Sequence, residues 1–433
     1  MALRDALSHR PFRRLWYGQL ASRVGDSVHE IALIWVVYEV TGDPTLLSVT
    51  LAASFVPTVL LSLPAGAVVD RVNRKYVLVG SDLVRAATVL VIPLVGPGPL
   101  LVPTVLAVAF VTGVADAVDG PARDAFVPRL VDDEDLDAAN SLVGMTASLS
   151  QVLFAAGGVA VAVFGSFAAF YVDAATFVVS ALFVATIASE HGVPDRATGG
   201  AEAFSSVVRD GKRRLVSDVR EVLAYVRERA LLRNVLVLGA LLQAAVAPVN
   251  VALPVYAPTL PVPDSVALGV LYSAFFTGMT AGMVAVGRFD RAVDARRGHV
   301  IVAGMVAYGV TMAAAVVLAV ETLAAVGVVV SLFALSGVGF AAATVPLRAL
   351  PQLVVPDDRL GRYTAAWRTL SSGAFVVGLV ATGPIVKLAG ARATLVGVGV
   401  ATVLIGVVTA LQPLGRAHDH VRTDDSPAPA GAE

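Results

Sequence analysis

The stretch TLLSVTLAASFVPTVLLSLPAGAVVDRVNRKYVLVGSDLVRAATVLVIPLV, residues 45–95, decides the fold. Residues 45–69 carry no charge at all. Residues 70–75 then hold Asp70, Arg71, Arg74 and Lys75, and 76–95 return to an apolar run interrupted only by Asp82 and Arg85. A bilayer core about 30 Å thick is crossed by roughly 20 apolar residues at 1.5 Å rise each. A helix on the surface of a soluble domain would show a polar face every second turn, and neither run does. The stretch therefore reads as two membrane-spanning helices joined by a short, basic turn. Barrel strands are shorter and alternate in polarity, so helices are the spanning element.

The same pattern repeats along the 433 residues. Spans are expected near 15–40, 45–69, 76–95, 99–119, 138–164, 168–189, 232–256, 265–287, 300–320, 323–346, 363–387 and 392–412. Turn chemistry separates them: Gly42-Asp43-Pro44, Gly96-Pro97-Gly98-Pro99, and the proline-rich 258–264. The run after Arg4, Arg10, Arg13 and Arg14 is of full spanning length, which reads as a first span and not as a cleavable signal. Composition agrees, with 57% hydrophobic residues, 15% charged and a mean hydropathy of +0.78. A soluble protein carries about 25% charged residues. Cysteine is absent, which removes thiol nucleophiles and thiolate metal ligands. The net charge of −1 gives no reason to expect nucleic acid as a partner.

Positive charge sets the expected orientation. Of 32 Lys and Arg residues, 27 fall in the connections on the side of 70–75, and the opposite connections contribute only Arg392. By the positive-inside rule both termini face the cytoplasm of a multi-pass cell-membrane protein. The expected organisation is a six-helix bundle over 1–189, a cytoplasmic linker over 190–231, a second bundle over 232–412 and a polar tail over 413–433. Within the linker, Phe204, Val207, Val208, Leu215 and Val219 recur at helical spacing, reading as an amphipathic helix at the headgroup level. The halves repeat faintly. At an offset of 224, Val131, Asp133 and Leu136 meet Val355, Asp357 and Leu360; at 225, Gly158 and Gly165 meet Gly383 and Gly390. Six helices per half makes the repeats parallel, a known transporter plan with a cavity at their interface.

Gly66-Ala-Val-Val-Asp70-Arg71-Val-Asn-Arg74-Lys75 resembles the G-x-x-x-D-R-x-x-R-[RK] motif of the major facilitator superfamily. FRRLWYGQLASRVGDS (12–27), FYVDAATF (170–177), DVREVLAYVRERALLR (218–233) and VPDDRLGRY (355–363) look like its enterobactin-exporter-like and multidrug-efflux branch. The resemblance implies an all-α fold of twelve transmembrane helices in two parallel six-helix repeats. It also implies a cytoplasmic clasp: Asp70 at the start of span 11 near Gly361-Arg362, with Arg71 and Arg74 reaching Asp116 and Asp119. The sequence departs from the family's span-5 antiporter motif, where Leu153-Phe154 stand in place of Gly-Pro ahead of Gly157-Gly158. The matching second-half motif is degraded between Gly282 and Arg291.

Charges inside spans are costly and mark function or pairing. At 100° per residue, Gln19, Arg23, Asp26 and Glu30 of span 1 fall within a sector of about 60°, with His29 at its flank. Asp26 lies about 18 Å along the span, near the midplane. In the family the first helix of each triplet lines the cavity. Two readings stand: Asp26 or Glu30 exchanges a proton for substrate, or Arg23 and Asp26 form a neutralising i, i+3 pair. His29 relays protons or packs. Asp82–Arg85 and Asp173 read as structural, and Arg368 and Lys387 as snorkelling residues at opposite ends of span 11. Gln243 and Asn250, seven apart in span 7, are candidates for substrate hydrogen bonds.

No G-x-x-x-x-G-K-[ST] loop or metal-ligand spacing stands out, so no enzyme activity, cofactor or metal is expected. The expected function is secondary export of a small amphipathic compound by alternating access, in exchange for protons, with sodium as the other candidate ion. The chain is expected to act as a monomer. A narrow siderophore-like metabolite exporter and a non-transporting membrane sensor remain open as alternatives.

Overall fold

The computed structural model describes residues 2–69, 71–193, 225–227, 229–289, 291, 293, 296–318 and 320–411. Asp70 and the expected linker-helix residues Phe204, Val207, Val208, Leu215 and Val219 lie outside the described residues. Thirteen long helices follow in order: α1 (Arg10–Thr41), α2 (Pro44–Val69), α3 (Arg74–Val89), α4 (Leu101–Phe126), α5 (Leu136–Val152), α6 (Phe154–Phe164) and α7 (Ser166–Ala185) come first. They are followed by α8 (Ala230–Tyr256), α9 (Asp264–Arg288), α10 (Arg297–Val317), α11 (Leu323–Val354), α12 (Asp357–Ala389) and α13 (Ala391–Ala410). Among the described residues there is no strand.

Among the described residues, ten helices are long and apolar enough to cross a membrane, or eleven when the bent pair α5–α6 counts as one span. The remaining expected span is α1. Its length of 32 residues suffices, but Arg23, Asp26 and Glu30 put three charges in its middle. In every span, fewer than half of the residues in the most apolar window are buried within the protein. The rest present Leu, Val and Phe outward, while Gln19, Ser22, Ser27, Asp82 and Asp173 are buried. Apolar outside and polar inside is the arrangement that a hydrocarbon solvent selects, because unpaired polar groups are expensive there. The chain is a multi-pass membrane protein.

The described chain divides into two compact units, 1–216 with 250–273 and 379–391, and 217–249 with 274–378 and 392–433. The first unit thus includes the ends of three second-half helices, α8, α9 and α12. Glycine makes this possible. A Cβ on Gly158 of α6 would overlap the Ser265 carbonyl near the start of α9, and one on Gly383 of α12 would overlap Ser48 Oγ and crowd Thr45 near the start of α2. These two glycines are the pair matched by the sequence repeat, and they play the same packing role in each half. The other matched pair behaves alike too: Gly165 and Gly390 both adopt φ +83°, closing the sharp turns α6–α7 and α12–α13. That conformation suits glycine, which has no Cβ to clash.

The α5–α6 break lies at Leu153, where the two segments meet at 45°. A break frees backbone groups that lipid cannot satisfy. Here Ser273 of α9 inserts: its Oγ accepts from the Ala155 N–H at 2.6 Å and donates to the Val152 carbonyl at 2.7 Å. One hydroxyl replaces the interrupted helix ladder, the recognised cause of a kink of this kind. Before the start of α2, Lys387 Nζ of α12 meets Asp43 Oδ2 at 2.9 Å, and the Thr45 N–H donates to Asp43 Oδ1 at 2.8 Å. The Lys387 hydrogen bond first, and that backbone N–H second, hold the Asp43 carboxyl below its ordinary pKa of 3.8. Lys387, expected to snorkel, is an ion-pair partner instead.

Two outcomes follow from this packing. Ser273→Ala leaves two backbone groups unsatisfied and lowers stability by about 1–3 kcal/mol, read as a reduced melting temperature of the detergent-purified protein. Asp43 is more acidic when folded, so its pairing stabilises at and above the usual carboxylate range and fades only as pH falls through its lowered pKa. The melting-temperature gap between wild type and Lys387→Ala is therefore constant from neutrality down to about pH 4 and closes below it.

Candidate functional site

The charges of the first unit converge. Arg85 of α3 is buried, and its guanidinium meets Asp82 at 3.4 Å, Asp116 at 3.0 Å and Asp119 at 2.9 Å. It also lies 4.8 Å from the centroid of the Phe177 ring, which adds a cation–π contact from α7. Arg123 reaches Asp119 at 3.8 Å from one turn along α4, and the Ser81 hydroxyl donates to Asp119 at 3.3 Å. Arginine suits this post because its planar fork presents five donors to several carboxylates at once. Asp82–Arg85, expected as an isolated pair, is the centre of a network across α3, α4 and α7.

On α1, three of the four residues of the expected stripe come together, and Glu30 does not join them. Arg23 meets Asp26 at 3.4 Å, and Gln19, Ser22, Arg23 and Asp26 line a cavity of about 20 Å³ shared with Asp82, Arg85, Asp119 and Arg123. A polar void of that size holds about one water molecule. One turn on, His29 Nδ1 lies 2.9 Å from Asp173 Oδ2, and the ring packs edge-on to Phe170. This close approach of α7 depends on Gly25, where a Cβ would overlap Thr176 and crowd Asp173. Glu30 is exposed and makes no hydrogen bond or ion pair with the described residues. The assembly is acid-rich: Asp26, Glu30, Asp82, Asp116, Asp119 and Asp173 stand against Arg23, Arg85 and Arg123.

The acids expected opposite Arg71 and Arg74 are thus engaged by Arg85 and Arg123. Arg74 is buried and donates from Nη1 to the Val193 carbonyl at 3.3 Å, as does Arg129 at 2.8 Å. Asn73 Nδ2 donates to the Ser189 carbonyl at 2.9 Å. The basic turn therefore grips the chain leaving α7. Gly66 lies near the end of α2, and Arg362 is exposed on the first turns of α12.

The second unit holds a cavity of about 400 Å³. Gln243 lines it, as its place on α8 suggested; Asn250 does not and belongs to the first unit. Arg368, expected to snorkel, lines it as well, together with Thr344, Arg348, Trp367 and Ser371. The Trp367 indole lies so close to Gly239 that a Cβ there would overlap the ring. Arg348, Trp367 and Ser371 carried no periodic signal, because the cavity is lined from three helices, α8, α11 and α12, and helical spacing on any one of them does not show which faces meet.

Comparison with known proteins follows the same line. The model of a family described as transmembrane secretion effector matches residues 4–430. Macrolide efflux protein A of Streptococcus pyogenes is 31% identical over 144 residues, which is 33% of this chain and 35% of that protein. The multidrug efflux pump Tap of Mycolicibacterium fortuitum is 24% identical over 412 residues, covering 93% and 96% of the two chains. Among solved structures, a point mutant of the nucleoside transporter NupG superposes with a TM-score of 0.72 at 13% identity, over 95% of this chain and 99% of that one. A bacterial homologue of the human lysosomal transporter Spinster gives 0.68 at 12% identity, over 98% and 99%. At such identities the superpositions report the fold alone.

Removing the hub tests the network. Arg85→Leu strands three carboxylates and lowers stability by about 3–5 kcal/mol, read as loss of monodisperse elution and of folded yield. Adding Asp119→Asn in the same chain recovers part of that loss.

Proposed function

We propose that this chain, which belongs to the transmembrane secretion effector family of the major facilitator superfamily, exports a small amphipathic compound across the cell membrane in exchange for protons. Transport of small molecules through the membrane comes with the family; export, the coupling ion and the site residues are the proposal. Relatives named as macrolide and multidrug efflux proteins support the direction. The observation that carries the coupling is the charge balance of the cluster around α1, where Asp26, Glu30, Asp82, Asp116, Asp119 and Asp173 stand against Arg23, Arg85 and Arg123. Excess acid at membrane depth is relieved by binding a proton or a cation. Asp82, Asp116 and Asp119 are held by Arg85, and Asp173 faces His29. Asp26 has only the 3.4 Å contact of Arg23, and Glu30 has no ion pair. These two are the coupling acids, with Glu30 first and His29 as the adjacent relay.

Alternating access then asks two things of the structure. The contacts of Gly158, Gly383 and the Asp43–Lys387 pair must part when the site opens on their side. On the other side, gating is the role proposed for Gly66, Asp70, Arg71, Arg74 and Arg362. The six-and-six organisation with cytoplasmic termini belongs to the same proposal.

Inside-out vesicles with an imposed proton gradient test the reading, using a panel of lipophilic dyes and erythromycin. Wild type is expected to accumulate at least one compound on energisation. Glu30→Gln is expected to lose gradient-driven accumulation while keeping downhill flux, and Asp26→Asn to weaken it. Full gradient-driven accumulation in the double variant overturns the assignment of these acids, and accumulation driven only by a sodium gradient overturns proton coupling.

A further inference from the structure

We propose that the cavity of the second unit binds an oxyanion group, a carboxylate or phosphoryl, of the transported compound, held between Arg348 and Arg368. The inference rests on the transport reading above and names the chemistry of its substrate. Arg348 comes from α11 and Arg368 from α12, and both line the same cavity of about 400 Å³. Neither has a hydrogen-bond or ion-pair partner among the described residues, and no Asp or Glu lines the cavity. Two arginines of the first unit, by contrast, are matched by acids: Arg23 has Asp26, and Arg85 has three. Both are exposed along the cavity, and two guanidiniums with no carboxylate among the lining residues favour an anion there over a cation.

A second, independent feature points the same way. Ser371, on the same helix as Arg368, lines the cavity and is 7% exposed, and its Oγ has no hydrogen-bond partner. A buried hydroxyl left unsatisfied is costly, and a ligand acceptor supplies the missing partner. Gln243 adds an amide from α8, and Trp367, backed by Gly239, offers a flat apolar wall. The cavity volume falls within the range of small-molecule sites. Guanidinium forks match carboxylate and phosphoryl oxygens two at a time, whereas a lipophilic cation would meet two like charges. The compound accepted here joins an oxyanion to an apolar, preferably aromatic, body.

The test uses 1-naphthoate and its neutral isostere 1-naphthamide, by equilibrium dialysis against the purified full chain in neutral detergent. Naphthoate is expected to bind saturably and at least tenfold more tightly than naphthamide. Arg348→Gln and Arg368→Gln should each weaken naphthoate tenfold or more, while melting temperature and elution stay at the wild-type values. Equal affinity for the two probes, or naphthoate binding unaffected by both variants, overturns the proposal. Competition by dioctanoyl phosphatidylglycerol, with no naphthoate accumulation in energised vesicles, assigns the oxyanion to a lipid headgroup and overturns the substrate assignment. Because dialysis needs no gradient, gradient-driven dye accumulation without naphthoate binding sinks this inference alone. Arginine-dependent naphthoate binding with no accumulation of any compound supports the anion site while sinking the transport reading.

Discussion

Hydrocarbon does not solvate charge, and the first unit is organised around that single constraint. Insertion of one arginine or aspartate at the centre of a spanning helix costs about 2.5–3.5 kcal/mol. Arg85 meets it by drawing carboxylates from its own helix and from α4 around one guanidinium, with the Phe177 ring of α7 beside it. The close packing of α1 on α7 at Gly25, and the His29–Asp173 contact, extend the same logic to the next helix. What these pairs leave over, on Asp26 and Glu30, is the charge that the proposed coupling uses.

The same constraint governs the backbone. A break at Leu153 is tolerated because Ser273 fills it from a helix of the other half of the sequence. The family's span-5 motif places Gly-Pro at this point, a pair that would break a helix by its own chemistry. This chain has Leu153-Phe154, and the bend survives with a serine from α9 in the gap. A local sequence signal has been exchanged for a tertiary one, so the missing motif does not mean a straight helix.

The two units differ in charge character when each is taken by itself. In the first, acids outnumber arginines and nearly every cation is engaged. In the second, two arginines stand in a cavity that contains no acid, beside a buried serine hydroxyl without a partner. Neither feature follows from the near-zero net charge of the chain, which averages over both.

Hydropathy runs and turn residues determined the spans, because a bilayer imposes a length and a polarity on each segment independently of its neighbours; the helices Leu101–Phe126, Leu323–Val354 and Asp357–Ala389 run six to eight residues beyond the expected ends, where polar residues continue the helix past the apolar run. The stripe of Gln19, Arg23 and Asp26 was legible for the same reason: helical spacing is local. The glycine pairs of the faint repeat were legible too, and the structure gave them meaning in shared turns and shared close contacts. Only the tertiary structure decided which charges meet. Asp116 and Asp119 could have answered Arg71 and Arg74 or Arg85, and distance chose Arg85. Arg368 and Lys387 looked alike as cations on one helix, yet one ends on Asp43 and the other on a cavity wall with Arg348 and Ser371. Contacts between side chains of different helices, whether 31 positions apart as in Arg85–Asp116 or 344 as in Asp43–Lys387, leave no periodicity in the chain, so a single sequence carries no trace of them.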